Sequence, residues 1–370
     1  MKVLFVIGTR PEAIKLAPVV LECQQRKGIQ TVVCSTGQHK ELLDSAFEQW
    51  HLVPDIELAV MESGQGLNQL VSKLLGQLDK VLSDVNPDCV VVQGDTSSCL
   101  AGALAAFQCE IPVFHVEAGL RTYDKTAPFP EELNRQLVSR IADVHFAPTK
   151  KNKAALLKEG IPETDIVVTG NTVIDALIMC QKNMTPDTNT EIQKLRRLYE
   201  PEKKLLLVTG HRRENMGAGF SELIEALREL ATDPSLQVIY PLHPNPEVRE
   251  PMLQALGNIE GIFLIEPLGY EAFVWLMSMS FIIISDSGGV QEEAPSLNKP
   301  VLVLRQQTER QEAVEAGTVK LIGTNKEAIV ERVRELLVNE GSYMEMTQKT
   351  NPYGDGKASK RIVDFLTSVD

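Results

Sequence analysis

The chain has no apolar run of membrane-spanning length, no CxxC pair, no HxxxH or Cys/His cluster, and neither of the glycine-rich loops that commonly announce a nucleotide. Each absence removes a class of protein. A transmembrane helix needs about 20 apolar residues in succession, and the opening MKVLFVIGTRPE breaks at Arg10 and Pro11 too soon for a signal peptide. The expectation is a cytoplasmic protein with no membrane partner. The six cysteines, Cys23, Cys34, Cys89, Cys99, Cys109 and Cys180, lie mostly in apolar segments and read as reduced core residues; no metal is expected. After the first strand only Gly8 stands where a dinucleotide fingerprint needs three spaced glycines, and GxxxxGKS/T is missing as well. Basic charge is short too. Lys and Arg number 37 against 50 Asp and Glu, a formal net charge of -13, the wrong sign for a nucleic-acid partner. A small anion is still admissible, since cations and helix N-termini within a cleft outweigh net charge.

What the chain does have is alternation. Its 370 residues are 43% hydrophobic and 24% charged, a globular composition with length for two domains. Short β-branched runs at Val3–Ile7, Thr31–Cys34, Cys89–Gln93, Ile111–Val116, Val144–Ala147 and Ile166–Thr169 alternate with helical segments, from about Glu12 and over Leu67–Leu82 and Ser97–Phe107. This is a doubly wound α/β pattern. The polar stretch between Gln181 and Thr190 reads as a linker. A second alternating set follows, with strands at Leu205–Val208, Gln237–Tyr240, Ile262–Leu264, Phe281–Ser285 and Val301–Leu304. The expected organisation is an N-terminal domain over residues 1–180 and a C-terminal domain over 181–356, with an interdomain cleft as the preferred ligand site. A last amphipathic helix in 357–370 is expected to pack back on the first domain.

Three carboxylates stand out in CVVVQGDTSSCLAGALAAFQCEIPVFHVEAGLRTYDKTAPFPEELNR. Asp95 and Glu117 each follow a strand of one strand-helix-strand unit, a crossover that makes the strands parallel. If adjacent, those strands deliver both acids to the carboxyl edge of the sheet, where open α/β folds bind ligands. Glu131 opens PEELNR, and the trio suits acid/base chemistry. Structural readings stand beside this one: Asp95 as the cap of a helix starting near Thr96, Glu117 as the partner of Arg121, Glu131 and Glu132 as ordinary first-turn acids.

Anion-binding features are spread through both halves. Arg10 and Lys15 bracket a helix N-terminus and suit a diphosphate, or are plain surface charges. Ser287, Gly288 and Gly289 lie between a strand and a helix, where bare backbone can cradle phosphate or simply turn. Glu292 and Glu293 follow one turn later, placed to accept from ribose hydroxyls. His211, Arg212 and Arg213, then His243, then Arg305 and Arg310 come after successive strands and suggest a cationic wall along one sheet edge.

Taken in order, GTRPEAIKLAPVV, QGDTSS, HVEAGLRT, PFPEELNR, TGNTVIDAL, TGHRREN, HPNP, DSGGVQEEAPSL, TERQEAV and NPYGDG resemble the non-hydrolysing UDP-N-acetylglucosamine 2-epimerases along the whole chain. The resemblance implies a GT-B type fold of two Rossmann-like domains, usually as a homodimer. It also implies reversible interconversion of UDP-GlcNAc and UDP-ManNAc with no cofactor, supplying sugars for surface polysaccharide. In such a reaction UDP leaves C1 as a proton leaves C2, giving 2-acetamidoglucal, and re-addition with protonation from the other face yields the epimer.

By the same resemblance Asp95, Glu117 and Glu131 are the catalytic acids, and His211 stands beside the departing diphosphate with Arg10, Lys15 and Arg310. Leu268 and Phe273 form the uracil pocket, Ser287, Gly288 and Gly289 hold phosphate, Glu293 binds ribose, and Arg135 holds the Glu131 loop or the sugar. An activating second UDP-GlcNAc near Gln38 and His39 is a family feature left undecided, since MESGQGL is not followed by the usual basic residue. Gln311 replaces a customary proline, with a looser loop and Arg310 untouched as the expectation, and Phe114 replaces a common glycine, with altered sugar-side packing as the expectation. Retaining GT-B transferases commonly carry a glutamate eight residues before the ribose acid; Ser285 is there instead. A hydrolysing epimerase would trap the same glycal with water. A nucleotide-sugar sensor that has lost the chemistry is opposed by the presence of all three acids.

Overall fold

The structure, a computed structural model, describes residues 1–38, 40–62, 64–210 and 217–368. The chain forms two compact units, Met1–Met179 with Tyr353–Asp370, and Cys180–Pro352.

The first unit is built on seven parallel strands: β1 (Lys2–Ile7), β2 (Gln30–Ser35), β3 (Ile56–Glu57), β4 (Cys89–Gln93), β5 (Val113–Val116), β6 (Val144–Ala147) and β7 (Ile166–Val168). Their order is β3-β2-β1-β4-β5-β6-β7. Val and Ile fill these strands because a sheet covered by helices on both faces buries both sides of each strand. Leu70, Leu74, Leu78 and Val81 make one stripe of helix Leu67–Val85 and pack on Leu4, Val6, Val90 and Val92, each large side chain contributing about 1.5–3 kcal/mol. The strand order reverses between β1 and β4, which opens a crevice at their carboxyl ends.

The C-terminal helix Ala358–Leu366 belongs to this unit. Phe365 meets Phe114 and Phe146 edge-on at centroid distances of 6.2 and 5.6 Å. The Asp175 carboxylate accepts from the Ala358 and Ser359 N–H groups at 3.1 and 2.8 Å, satisfying donors that a helix start leaves bare. Phe114 therefore packs against this helix rather than facing a sugar.

The second unit carries six parallel strands: β8 (Lys204–Thr209), β9 (Leu236–Pro241), β10 (Ile262–Ile265), β11 (Ile282–Ser285), β12 (Val301–Val303) and β13 (Val319–Leu321). The order is β10-β9-β8-β11-β12-β13, reversing between β8 and β11. Leu206, Val208, Val238 and Ile284 bury against Leu223, Leu227 and Leu230 of helix Ala218–Leu230. β3 escapes detection from sequence because two residues are too short for a periodicity signal, and β13 because exposed Lys320 breaks its three-residue apolar run. The expected linker is partly helical: helix Thr172–Asn183 runs into it, and Asn189 caps helix Thr190–Leu198 by accepting from Glu191 and Ile192 N–H. No helix among the described residues is long and apolar enough to cross a membrane.

Candidate functional site

β4 and β5 are direct neighbours, with Gln93 paired to Val116. Asp95 and Glu117 consequently leave the same sheet edge on adjacent strands. Gly94 turns the chain at φ +72°, a region glycine enters without a Cβ penalty. Its carbonyl accepts from His115 Nε2 at 2.8 Å. Burial pushes the His115 imidazole down to about 3, so the ring is neutral and carries its proton toward that carbonyl.

Helix Glu131–Ile141 reaches back to this turn. Asn134 Nδ2 donates to the Asp95 carbonyl at 2.8 Å, and Arg135 Nε donates to Asp95 Oδ2 at 2.8 Å. Asp95 is thus not the helix cap; Thr96 is, accepting from Cys99 N–H at 3.0 Å. Arg135 also bonds Glu132 Oε2 at 3.2 Å. Burial works against the charge on Glu132, but donors from Thr122, Gln136, Tyr123 and Arg135 outweigh it and hold the carboxyl below its ordinary value. Glu132 so anchors the loop between Glu117 and Glu131. Glu131 itself is half-buried at the first position of the helix, and its Oε2 is shielded from solvent without a hydrogen-bond partner among the described residues.

Glu117 has φ +66°, a conformation costing roughly 1–3 kcal/mol for a residue with a Cβ and concentrated at functional sites. The turn sends its carboxylate to Lys15 Nζ, 2.5 Å away, and to Gln93 Nε2. Arg121 is not its partner: that guanidinium binds Glu159 at 2.7 and 2.9 Å. Lys15, expected on a diphosphate, has its ammonium on Glu117. Arg10 is half-buried at the first position of helix Arg10–Gln24, beside the β1/β4 reversal. Gln38 accepts from Ser98 Oγ at 2.9 Å. His39 lies outside the described residues.

Glu12, one turn into that helix, is 1% exposed. Burial raises its carboxyl to about 7, against the opposing donors Thr96, Thr9 and Gly8. Between an ordinary value near 4.5 and about 7 the folded chain keeps a proton that the unfolded chain releases. The resulting stability is full below the lower value and is lost as pH rises through the upper one. Glu12→Gln is therefore expected to be more stable than the parent at pH 8, on the order of 3 kcal/mol, with most of the gain gone at pH 4.5. Thermal unfolding at both pH values measures this; equal gains at the two would refute the assigned titration.

In the second unit β8 and β11 bring Thr209 beside Ser285, whose hydroxyls lie 2.7 Å apart. Ser287 stands at the N-cap position of the short helix Gly288–Glu293 without a side-chain cap bond, and its N–H donates to Ser285 Oγ at 3.0 Å. Gly288 is needed for space: a Cβ there would lie 2.7 Å from Arg310 Cζ. Arg310 bonds Glu292 Oε1 at 3.0 Å and also Glu309, which Arg305 shares at 2.9 Å. The expected cationic wall is therefore locally neutralised, and Glu292 holds Arg310 rather than awaiting ribose. Glu293 accepts from Tyr270 Oη at 2.5 Å. Tyr270 opens helix Tyr270–Met279, which carries half-buried Phe273 one turn on, and half-buried Leu268 precedes that helix. His243 Nδ1 accepts from Asn245 N–H at 3.2 Å. His211, Arg212 and Arg213 lie outside the described residues.

Gln93, Glu12, Asn134 and Tyr270 bond Glu117, Thr96, Asp95 and Glu293, and sequence patterns do not single them out; Glu132, read there as an ordinary first-turn acid, is a loop anchor. Gln93 alone leaves a trace, as a polar end to the apolar run CVVVQ. Among the described residues no group of three or more His, Cys, Asp or Glu is arranged to hold a metal ion.

Two doubly wound parallel sheets, each gathering polar side chains at its reversal point, define an α/β protein of the GT-B type. A family model described as UDP-N-acetylglucosamine 2-epimerase matches residues 21–367. The chain is 49% identical to the UDP-N-acetylglucosamine 2-epimerase of Escherichia coli (strain K12), covering 99% of this chain and 98% of that one. Among solved structures, the UDP-GlcNAc 2-epimerase from Neisseria meningitidis bound to UDP-GlcNAc superposes at TM-score 0.92, with 47% identity and full coverage of both chains. The Methanocaldococcus jannaschii enzyme in complex with UDP-GlcNAc and UDP gives TM-score 0.85 at 36% identity, again with full coverage of both. The chain belongs to the UDP-N-acetylglucosamine 2-epimerase family.

Proposed function

We propose that this chain interconverts UDP-GlcNAc and UDP-ManNAc by inverting C2 of the sugar, through elimination and re-addition of UDP. The observation that carries the reading is the full-length match to a Neisseria meningitidis structure bound to UDP-GlcNAc, joined to a sheet edge that carries Asp95 and Glu117 with Glu131 one loop away.

The C2 hydrogen of a pyranose has no adjacent carbonyl and resists simple proton exchange. As the bond from C1 to the UDP oxygen lengthens, C1 gains oxocarbenium character and C2–H acidifies. A carboxylate takes the proton, the C–H electron pair becomes the C1–C2 double bond, and UDP departs with the C1–O pair. Protonation of 2-acetamidoglucal at C2 from the opposite face, with UDP returning to C1, completes inversion. Two faces require at least two proton-transfer groups, a task for Asp95, Glu117 and Glu131, with Arg135 orienting Asp95. His211, Arg10, Lys15 and Arg310 stabilise charge on the leaving diphosphate. Ser287, Gly288 and Gly289 hold phosphate, Glu293 the ribose, and Leu268 with Phe273 the uracil.

A transferase reading fares worse. Ser285, where a retaining transferase would place its glutamate, is fully buried in β11 with its hydroxyl on Thr209, which leaves no carboxylate there for a donor sugar. The deciding experiment adds UDP-GlcNAc alone and follows products by NMR. An equilibrium mixture of both UDP-sugars is expected, whereas free ManNAc would point to hydrolysis and no reaction would remove the proposal.

A further inference from the structure

Of the buried acids of the first unit that the mechanism does not use, Glu132 anchors the loop before Glu131 and Asp175 caps the C-terminal helix, while Glu12 lies at the reversal point of the sheet. Glu12 Oε2 accepts from Gly8 N–H at 3.1 Å and from Thr9 Oγ1 at 2.8 Å, both in the turn that leaves β1. Its Oε1 accepts from Thr96 Oγ1 at 2.7 Å, in the turn that leaves β4. One carboxyl therefore spans the reversal point of the sheet. On one side it holds the residues immediately before Arg10, and on the other the residue immediately after Asp95. Thr96 is fixed a second time by Cys99 N–H, so tension on Glu12 passes to the start of helix Ser97–Gln108 and to Asp95.

The location is expensive for an acid. A carboxyl 1% exposed loses its hydration, and a merely structural clasp would be less costly with neutral groups. Charged groups belong to the elements around it: Arg10 and Lys15 on its own helix, with Lys15 bonded to Glu117 beyond β5 and Arg135 bonded to Asp95 beyond β4. Glu12, Asp95 and Glu117 all act on the single buried thiol of Cys99 and, after burial itself, push it further above its ordinary value. Glu12 thus shares one electrostatic neighbourhood with two of the proposed proton-transfer groups.

We propose that Glu12 is a positioning residue for the epimerisation, a clamp that holds the Asp95 turn in register with the Arg10 turn. The proposal rests on the functional reading above and adds a residue to it. A clamp of this kind touches the Arg10 turn only through backbone and Thr9, while the proposed uracil and ribose contacts belong to the second unit, so its loss lowers kcat far more than UDP binding.

The experiment measures kcat and KM for UDP-GlcNAc, and UDP affinity by calorimetry, for the parent and for Glu12→Ala, Glu12→Gln and Thr9→Val. Because a displacement of about 1 Å can cost about a hundredfold, Glu12→Ala is expected to lose kcat by roughly 30- to 100-fold with KM and UDP affinity within about threefold. Glu12→Gln keeps an acceptor for Gly8 and Thr9 and gains a donor for Thr96, so it returns kcat to within about fivefold of the parent. Thr9→Val removes one strut of similar shape and loses about 3- to 10-fold in kcat. Should Glu12→Ala fail to fold, Thr9→Val decides. Parental kcat in either folded variant overturns the proposal, as does a loss in Glu12→Gln equal to that in Glu12→Ala, or one that tracks UDP affinity. Asp95→Asn in the same assay separates the two levels: if it keeps full turnover the functional reading fails and takes the proposal with it. If it loses turnover while Glu12→Ala does not, only the proposal fails.

Discussion

Glu117→Gln is expected to lower kcat for UDP-GlcNAc epimerisation by about a thousandfold, the middle of the range for removing a positioned proton-transfer group, while UDP affinity stays within about threefold. The amide keeps the size of the carboxylate and its place at φ +66°, but it cannot take a proton. Lys15 and Gln93 lose an anionic acceptor, which leaves the Lys15 ammonium available to the diphosphate, while the proposed uracil and ribose contacts, Leu268, Phe273 and Glu293, belong to the second unit. Glu131→Gln should behave alike, since the amide cannot carry a proton and the Glu131 Oε2 is committed to no hydrogen bond among the described residues. Turnover by NMR and UDP titration by calorimetry check both. Full activity in the two glutamine variants would contradict the assigned chemistry.

Gly288→Ala is the second large effect. The added methyl group would sit 2.7 Å from Arg310 Cζ and 2.9 Å from Nη2, and the guanidinium cannot yield easily because Glu292 and Glu309 hold it. Overpacking of this kind costs about 1–3 kcal/mol. Displacing a charged donor worth about 1.5–3 kcal/mol is expected to weaken UDP binding by about 30-fold. Gly289→Ala is the control for stability, because its nearest contact would be an ordinary 3.6 Å to Glu293 Oε2. Thermal unfolding should separate the two variants, and UDP titration should show the loss at Gly288. If Gly288→Ala matches the parent in both measurements, Arg310 is not locked against that glycine.

The strands can be read from sequence because Val and Ile concentrate where both faces of a parallel sheet are covered, and the site edge follows from which residues come just after them. Asp95 and Glu117 are legible for that reason. The conformation of Glu117 is not, since a left-handed glutamate has no composition signal. Glu12 is hidden by a general habit of helices: an acid in the first turn normally faces solvent and favours the dipole. Here the same position turns inward, onto Thr9 and Thr96. The cationic reading of Arg305 and Arg310 is incomplete for a different reason: Glu309 is adjacent in sequence but Glu292 is 18 residues before Arg310, and only the fold shows the pairs closed. Asp95 reads as a cap for a related reason: Asp95 and Thr96 both suit the position, and Arg135, forty residues on, takes the carboxylate of the first.

The central claim is that carboxylates of the first unit remove and return the C2 proton of a UDP-bound hexose as UDP leaves and comes back. Incubation with UDP-GlcNAc in heavy water, without added cofactor, tests it most directly. Deuterium at C2 in both UDP-GlcNAc and UDP-ManNAc is the predicted result, and UDP-ManNAc formed without label would contradict the account.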